Sequence, residues 1–139
     1  MKKSNFRRLG QGALAVGALA MLAGCASITG GGAPEEVVAK RSQAYWDARI
    51  KGDYKAAYAL TNPGYRKVRT AEQFRATHPG TFAVEAEVKN VSCEPQKCGA
   101  GVNLKTKPPI MGQKLGTIDV YSRQTWVLED GQWWLFTEL

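Results

Sequence analysis

Among the residues of types able to move protons, the candidates for chemistry are scattered along the sequence: Asp47, Tyr58, His78, Asp119 and Tyr121. His78 is the only histidine, and imidazole is the side chain whose ordinary pKa suits acid–base work near neutrality. It precedes Pro79, in a loop position where a histidine more often serves as a hinge or surface residue. Asp119 and Tyr121 share one face of an alternating segment with Arg123, a spacing that lines a polar pocket or forms the wet face of a strand. Asp47 follows Trp46 and lies two residues from Arg49, within a helical pattern where a solvated face is the plainer reading. No nucleophile–base pair, phosphate-binding loop or metal-ligand spacing accompanies these residues. No catalytic residue is assigned, and neither metal nor cofactor is expected.

The first twenty-five residues carry an address. Lys2, Lys3, Arg7 and Arg8 make a basic start, an apolar run covers Gly12 to Leu22, and small residues lead into Cys25. That order of charge, apolar stretch and small-residue cleavage point suits an export signal. A transmembrane span needs about 20 apolar residues, and this run is shorter and diluted by Gly12 and Gly17. Leu22-Ala23-Gly24-Cys25 resembles the lipobox of bacterial lipoproteins. The resemblance implies a diacylglyceryl group on Cys25, cleavage before it, acylation of the new amino terminus, and attachment to a membrane through lipid. Arg7-Arg8 is a poor match to a twin-arginine signal, so the general secretory route is expected. Ala26, where such lipoproteins carry aspartate for inner-membrane retention, implies the periplasmic face of the outer membrane.

Residues 1–24 are therefore read as signal, 25–33 as the lipidated cysteine with a small, glycine-rich tether, and 34–139 as one domain. Four of the seven net positive charges lie before Cys25, leaving +3 on the 115 residues from Cys25 onward. The basic balance is partly a property of the signal and gives no support to nucleic-acid binding. With Cys25 taken by lipid, Cys93 and Cys98 remain as a pair in an oxidising compartment. Glu94-Pro95-Gln96-Lys97 between them reads as a turn joining two strands. A zinc site needs about four ligands and has only His78 to add, while a redox site wants Cys-x-x-Cys at a helix start. A structural disulfide is expected.

The elements that must position these groups fall into two halves. Pro34, Glu35 and Glu36 open a helix in which Val37, Arg41, Ala44, Tyr45 and Ala48 recur at helical spacing, and Gly52 ends it. Asp53 caps a second helix, Tyr54 to Leu60. Thr61-Asn62-Pro63 stops it and starts a single turn through Tyr65. Thr70 and Gln73 form a capping-box pattern for a third short helix ending at His78-Pro79-Gly80. The period then becomes two: Phe82, Val84, Ala86 and Val88 are expected inward, and Ala100, Val102 and Leu104 continue the pattern until Pro108-Pro109. A strand from Gly116 to Glu129, the Asp130-Gly131 turn and a closing strand from Gln132 to Thr137 complete four antiparallel strands. Helices followed by such strands make an α+β domain.

Tyr45-Trp46, Lys51-Gly52-Asp53-Tyr54, Ala57-Tyr58, Asn62-Pro63-Gly64-Tyr65-Arg66 and the closing Trp126…Asp130-Gly131-Gln132-Trp133-Trp134 resemble nuclear-transport-factor-2-like domains, over about Pro34 to Leu139. The resemblance implies a bent antiparallel sheet that wraps the helices into a cone. It also implies a superfamily holding isomerases, dehydratases, secretion-machine parts and lipoproteins. Enzymes of that kind place an acid–base group inside the cone, so Tyr58, His78, Asp119 and Tyr121 are the candidate pocket residues.

The last hairpin offers another site. Its register opposes Leu128 to Trp133 and Trp126 to Leu135 on one face, and Val127 to Trp134 and Thr125 to Phe136 on the other. Both faces are apolar. Trp126, Trp133, Trp134 and Phe136 are thus candidate interface residues for a protein partner or a second copy, unless sheet curvature buries both faces. Arg66, Lys67 and Arg69, with Lys105, Lys107 and Lys114, present charge to anionic headgroups or an envelope polymer, or simply to water. The leading expectation is a lipid-anchored, non-catalytic binding domain. The alternative is a small-molecule carrier, or an isomerase- or dehydratase-like enzyme with a pocket in the cone.

Overall fold

Helix α1, Pro34–Lys51, begins with proline at its first turn and glutamates 35 and 36 at its positive end, and Gly52 closes it with φ 74°. The computed structural model describes residues 32–109 and 116–139. The export segment, Cys25, most of the tether and Lys114 lie outside them. The buried stripe of α1 is Val38, Ser42, Tyr45 and Ala48. It is rotated from the expected one, with Arg41 half-buried and Ala44 exposed. The polar Ser42 holds a core position because its hydroxyl donates to the buried side-chain oxygen of Gln124.

Helix α2 is Tyr54–Ala59, capped by the Asp53 carboxylate accepting from the Ala56 N–H at 2.9 Å. Helix α3, Pro63–Val68, runs further than a single turn. Helix α4, Ala71–Thr77, starts in the expected capping box, with Thr70 and Gln73 exchanging backbone-to-side-chain bonds of 2.9 and 3.2 Å.

Strands β1 (Ala83–Glu94), β2 (Lys97–Thr106), β3 (Ile118–Glu129) and β4 (Gln132–Leu135) form one antiparallel sheet in sequence order. The β3–β4 register is as expected, and Asp130 and Gly131 take φ of 50° and 73°, the twist a two-residue hairpin needs. Strand β4 stops at Leu135 rather than Thr137. Phe136 still donates to the Thr125 carbonyl at 2.9 Å, but the Thr137 N–H turns to the Asn62 side-chain oxygen at 3.0 Å.

Strand β1 departs most from expectation. Ala83 is the buried residue, while Phe82 and Val84 are 59% and 52% exposed. The β1–β2 register shifts twice, between Ala83 and Glu85 and between Val88 and Asn90. Each shift inserts a residue, reverses which side faces inward and bends the strand. Ala86 and Val88 therefore turn toward the helices after the first shift, and Val91 and Cys93 after the second.

Cys93 and Cys98 sit directly opposite one another, Cα atoms 4.1 Å apart, and are joined by a disulfide. Cys98 is paired with Trp126, and Trp126 with Leu135. Around this line lies the main core, with Val38, Tyr45, Ala57 and Phe74 from the helices. Replacing both bridging cysteines by serine should leave the far-ultraviolet spectrum unchanged and cost about 2 kcal/mol in urea unfolding. Trp126→Ala should cost about 3–5 kcal/mol, because Trp126 is fully buried.

Candidate functional site

An open groove of about 550 Å³ lies at the mouth of the sheet. Helix α1 supplies Trp46 and Arg49, the loop after α4 supplies His78 through Phe82, and the strand ends supply Thr106, Pro108 and Val120. Its walls are mainly apolar, and Phe82 and Val120 are 59% and 44% exposed. Two interactions hold the loop in place. The Arg49 guanidinium donates to the Pro79 carbonyl at 2.8 Å and to the Tyr45 hydroxyl at 3.0 Å. The Lys107 N–H donates to the Phe82 carbonyl at 2.8 Å, just before the prolines that end the ladder.

His78 closes the end of α4. Its ring stacks on Phe74 with centroids 4.3 Å apart, and Nδ1 lies 3.1 Å from the Phe74 carbonyl and 3.0 Å from the Thr77 hydroxyl. A carbonyl only accepts, so Nδ1 carries the proton of the neutral ring and Nε2 keeps the lone pair. Burial lowers the imidazole pKa below its usual value; the Phe74 carbonyl opposes this and the Arg49 charge adds to it. Among the described residues, the ionisable groups lining the groove are thus one cation and one mostly neutral histidine, with no carboxylate. The Trp46 indole N–H is buried without a partner among the described residues. The Arg49 charge and the apolar surface suit a ligand with an apolar body and a hydrogen-bond acceptor.

The four candidate pocket residues do not converge. Tyr58 is packed among Tyr65 and Phe74, and its hydroxyl donates to the Arg69 carbonyl at 2.6 Å, fastening the end of α3. Asp119 is exposed on the outer side of β3, opposite Lys105, whereas its neighbour Val120 lines the groove. Tyr121, also exposed, bonds Asn90 at 3.3 Å and covers Gly101, where a side-chain carbon would collide with the tyrosine hydroxyl. His78 alone lines the mouth. Asp47 accepts from the Gln43 amide at 2.9 Å along its own helix.

The hairpin candidates divide as well. Trp126 and Trp133 are 0% and 7% exposed, part of the core and out of reach of a partner, because the curved sheet closes that face on the helices. Trp134 is half-buried and Phe136 is 48% exposed. The groove residues Trp46, Arg49, Phe82, Pro108 and Val120 were not legible as a site. Phe82 reads as core until the β1 bulge turns it out.

No protein-family model and no curated protein matches the sequence. Solved structures do match. A SEC-C-motif protein of Psychrobacter arcticus aligns with TM-score 0.57 at 10% identity over 78% of this chain, which spans 63% of that protein. Another SEC-C-motif protein, from Rhodopseudomonas palustris, aligns with TM-score 0.54 at 14% identity, covering 70% of this chain and 73% of that one. A Campylobacter jejuni protein described as an NTF2-like transpeptidase aligns with TM-score 0.50 at 9% identity, covering 71% of this chain and 96% of that one. Likeness at such identities is likeness of fold: α+β, with helices packed in a four-stranded antiparallel sheet of the nuclear-transport-factor-2-like kind.

Proposed function

We propose that this chain is a small binding domain, held at the cell envelope by a lipid on Cys25, that takes a ligand into the groove at the mouth of its sheet. The groove carries the reading: Trp46, Phe82, Pro108 and Val120 form its apolar wall, and among the described residues only Arg49 and His78 are ionisable. Such a lining fits an apolar chain or ring with a neutral or negatively charged end. An aromatic hairpin acting as a broad protein interface has less support, since two of its four residues are core. A second reading, proton-transfer catalysis on a groove-bound substrate, rests on the Nε2 lone pair of His78.

The anchor rests on the sequence from Lys2 to Cys25. In a bacterial host, labelled palmitate should enter the wild type and not Cys25→Ala, whose precursor should stay uncleaved. Unaltered membrane extraction of that variant would remove the anchor from the proposal. Occupancy of the groove is tested with a medium-chain fatty acid as probe and tryptophan emission as readout. Val120→Arg, at a 44% exposed position, should weaken binding about tenfold or more by placing a charge on the apolar wall. Equal affinity in the variant would exclude the groove.

His78 also predicts a pH dependence. Its folded pKa is depressed, so its contribution is present above the unfolded value of about 6.5 and lost as pH falls through the folded value. The urea midpoint of the wild type should drop below that range, and His78→Gln should show a smaller drop. Parallel profiles for the two proteins would contradict the burial of the imidazole.

A further inference from the structure

Two arginines from different helices reach one indole. The Arg41 Cζ lies 5.0 Å from the Trp134 ring centroid and the Arg66 Cζ 4.5 Å. Trp134 is itself fixed, paired with Val127 across the hairpin and donating its indole N–H to the Glu129 carbonyl at 3.3 Å. Both cations lack a carboxylate: the ion pairs among the described residues are Lys89–Glu87 and Lys105–Glu85. Arg49 stacks on tyrosines yet donates to Tyr45 and Pro79, whereas neither Arg41 nor Arg66 has a side-chain hydrogen bond among the described residues. The Nε of each is buried without a partner, as is that of Arg49, so a ligand would meet the terminal N–H groups. Both side chains are half withdrawn from water, and burial together with the Arg66 charge disfavours the protonated form of Arg41. Unsatisfied like charges brought together are costly unless an anion joins them.

We propose that Arg41 and Arg66, laid on Trp134, form a binding site for a phosphoryl oxyanion. A guanidinium held over an aromatic ring still carries terminal N–H groups that can donate to oxygen acceptors. The two guanidinium groups arrive from α1 and α3. A tetrahedral phosphate, with oxygens in several directions and up to two negative charges, can meet both. A carboxylate holds its two oxygens in one plane and pairs best with a single fork. The source is either a phospholipid headgroup or a soluble phosphate compound, and the site depends neither on the groove nor on the lipid anchor.

The test titrates the full chain with inorganic phosphate against chloride of matched ionic strength, following indole N–H signals by nuclear magnetic resonance. The Trp134 signal should shift saturably while those of the other three tryptophans stay put. Arg41→Gln and Arg66→Gln should each weaken binding about tenfold, and Arg66→Lys should also weaken it by losing the fork. Folding of each variant is checked by circular dichroism, and the two glutamine variants report independently. Equal shifts in chloride, unchanged affinity in a folded glutamine variant, or acetate bound as tightly as phosphate would overturn the proposal. Phosphatidylglycerol vesicles separate the sources. Vesicle binding lost in both variants assigns a headgroup; phosphate binding lost with no change in vesicle association assigns a soluble compound.

Discussion

One row of side chains ties the whole domain together. It runs from Cys93 through Cys98 and Trp126 to Leu135, one residue from each strand, and ends on Thr61, which bridges to Leu135 from the segment between α2 and α3. The row is covalent at one end. At the other, the Leu135 N–H donates to the Leu60 carbonyl and the Asn62 N–H to the Leu135 carbonyl, both at 2.9 Å. The short strand β4 thus has its outer edge covered, and the helical half is fastened to the last strand through backbone bonds. Because side chains alternate in a strand, a slip of one residue would turn Trp126 out and undo the core. The bridge holds the register of β1 on β2, and the Asp130-Gly131 turn holds β3 on β4.

Curvature then decides what is core and what is surface. The two irregularities of β1 bend the sheet around α1, and their effect on side chains is to exchange Ala83 for Phe82 and Val84 at the inward positions. A small residue inside and large ones at the rim leave the mouth open. The starts of α1, α2 and α4 and the end of α1 were legible because they are settled locally, by Pro34, Gly52, Asp53 or the Thr70–Gln73 pair, whereas α3 runs on to Val68 past the single turn expected. The faces of β1 were not, since a bulge depends on what lies across the ladder. Asn90, just past the second shift, is opposite Gly101, and the space left by that glycine is filled by Tyr121 from β3. Three strands cooperate there, and no window of sequence contains them.

The same distinction governs the polar residues. Arg66, Lys67 and Arg69 are neighbours in the chain but not in role. Arg66 goes to Trp134, Lys67 stays in water, and the Arg69 carbonyl receives the Tyr58 hydroxyl. Arg41, which periodicity places among core residues of α1, joins Arg66 instead. Residue type announced that tyrosine, histidine and arginine were available. Their partners were set by which helix ends needed carbonyls satisfied and which aromatic faces the hairpin left uncovered.

That allocation bears on whether such a domain does chemistry or binding. A site that divides acid and base work needs two groups of different basicity at one place. Here three of the candidate groups are spent at different places: Tyr58 on α3, Tyr121 on Gly101, and the Nδ1 side of His78 on α4. The interior where they would have met is filled by Trp126, Phe74 and Tyr45. What remains at the mouth is apolar wall with the Arg49 guanidinium and one imidazole lone pair. Such an inventory recognises acceptors on an apolar ligand. Among the described lining residues His78 is the one group whose ordinary pKa lies near neutrality, so a proton taken at Nε2 would have to be returned from the same ring.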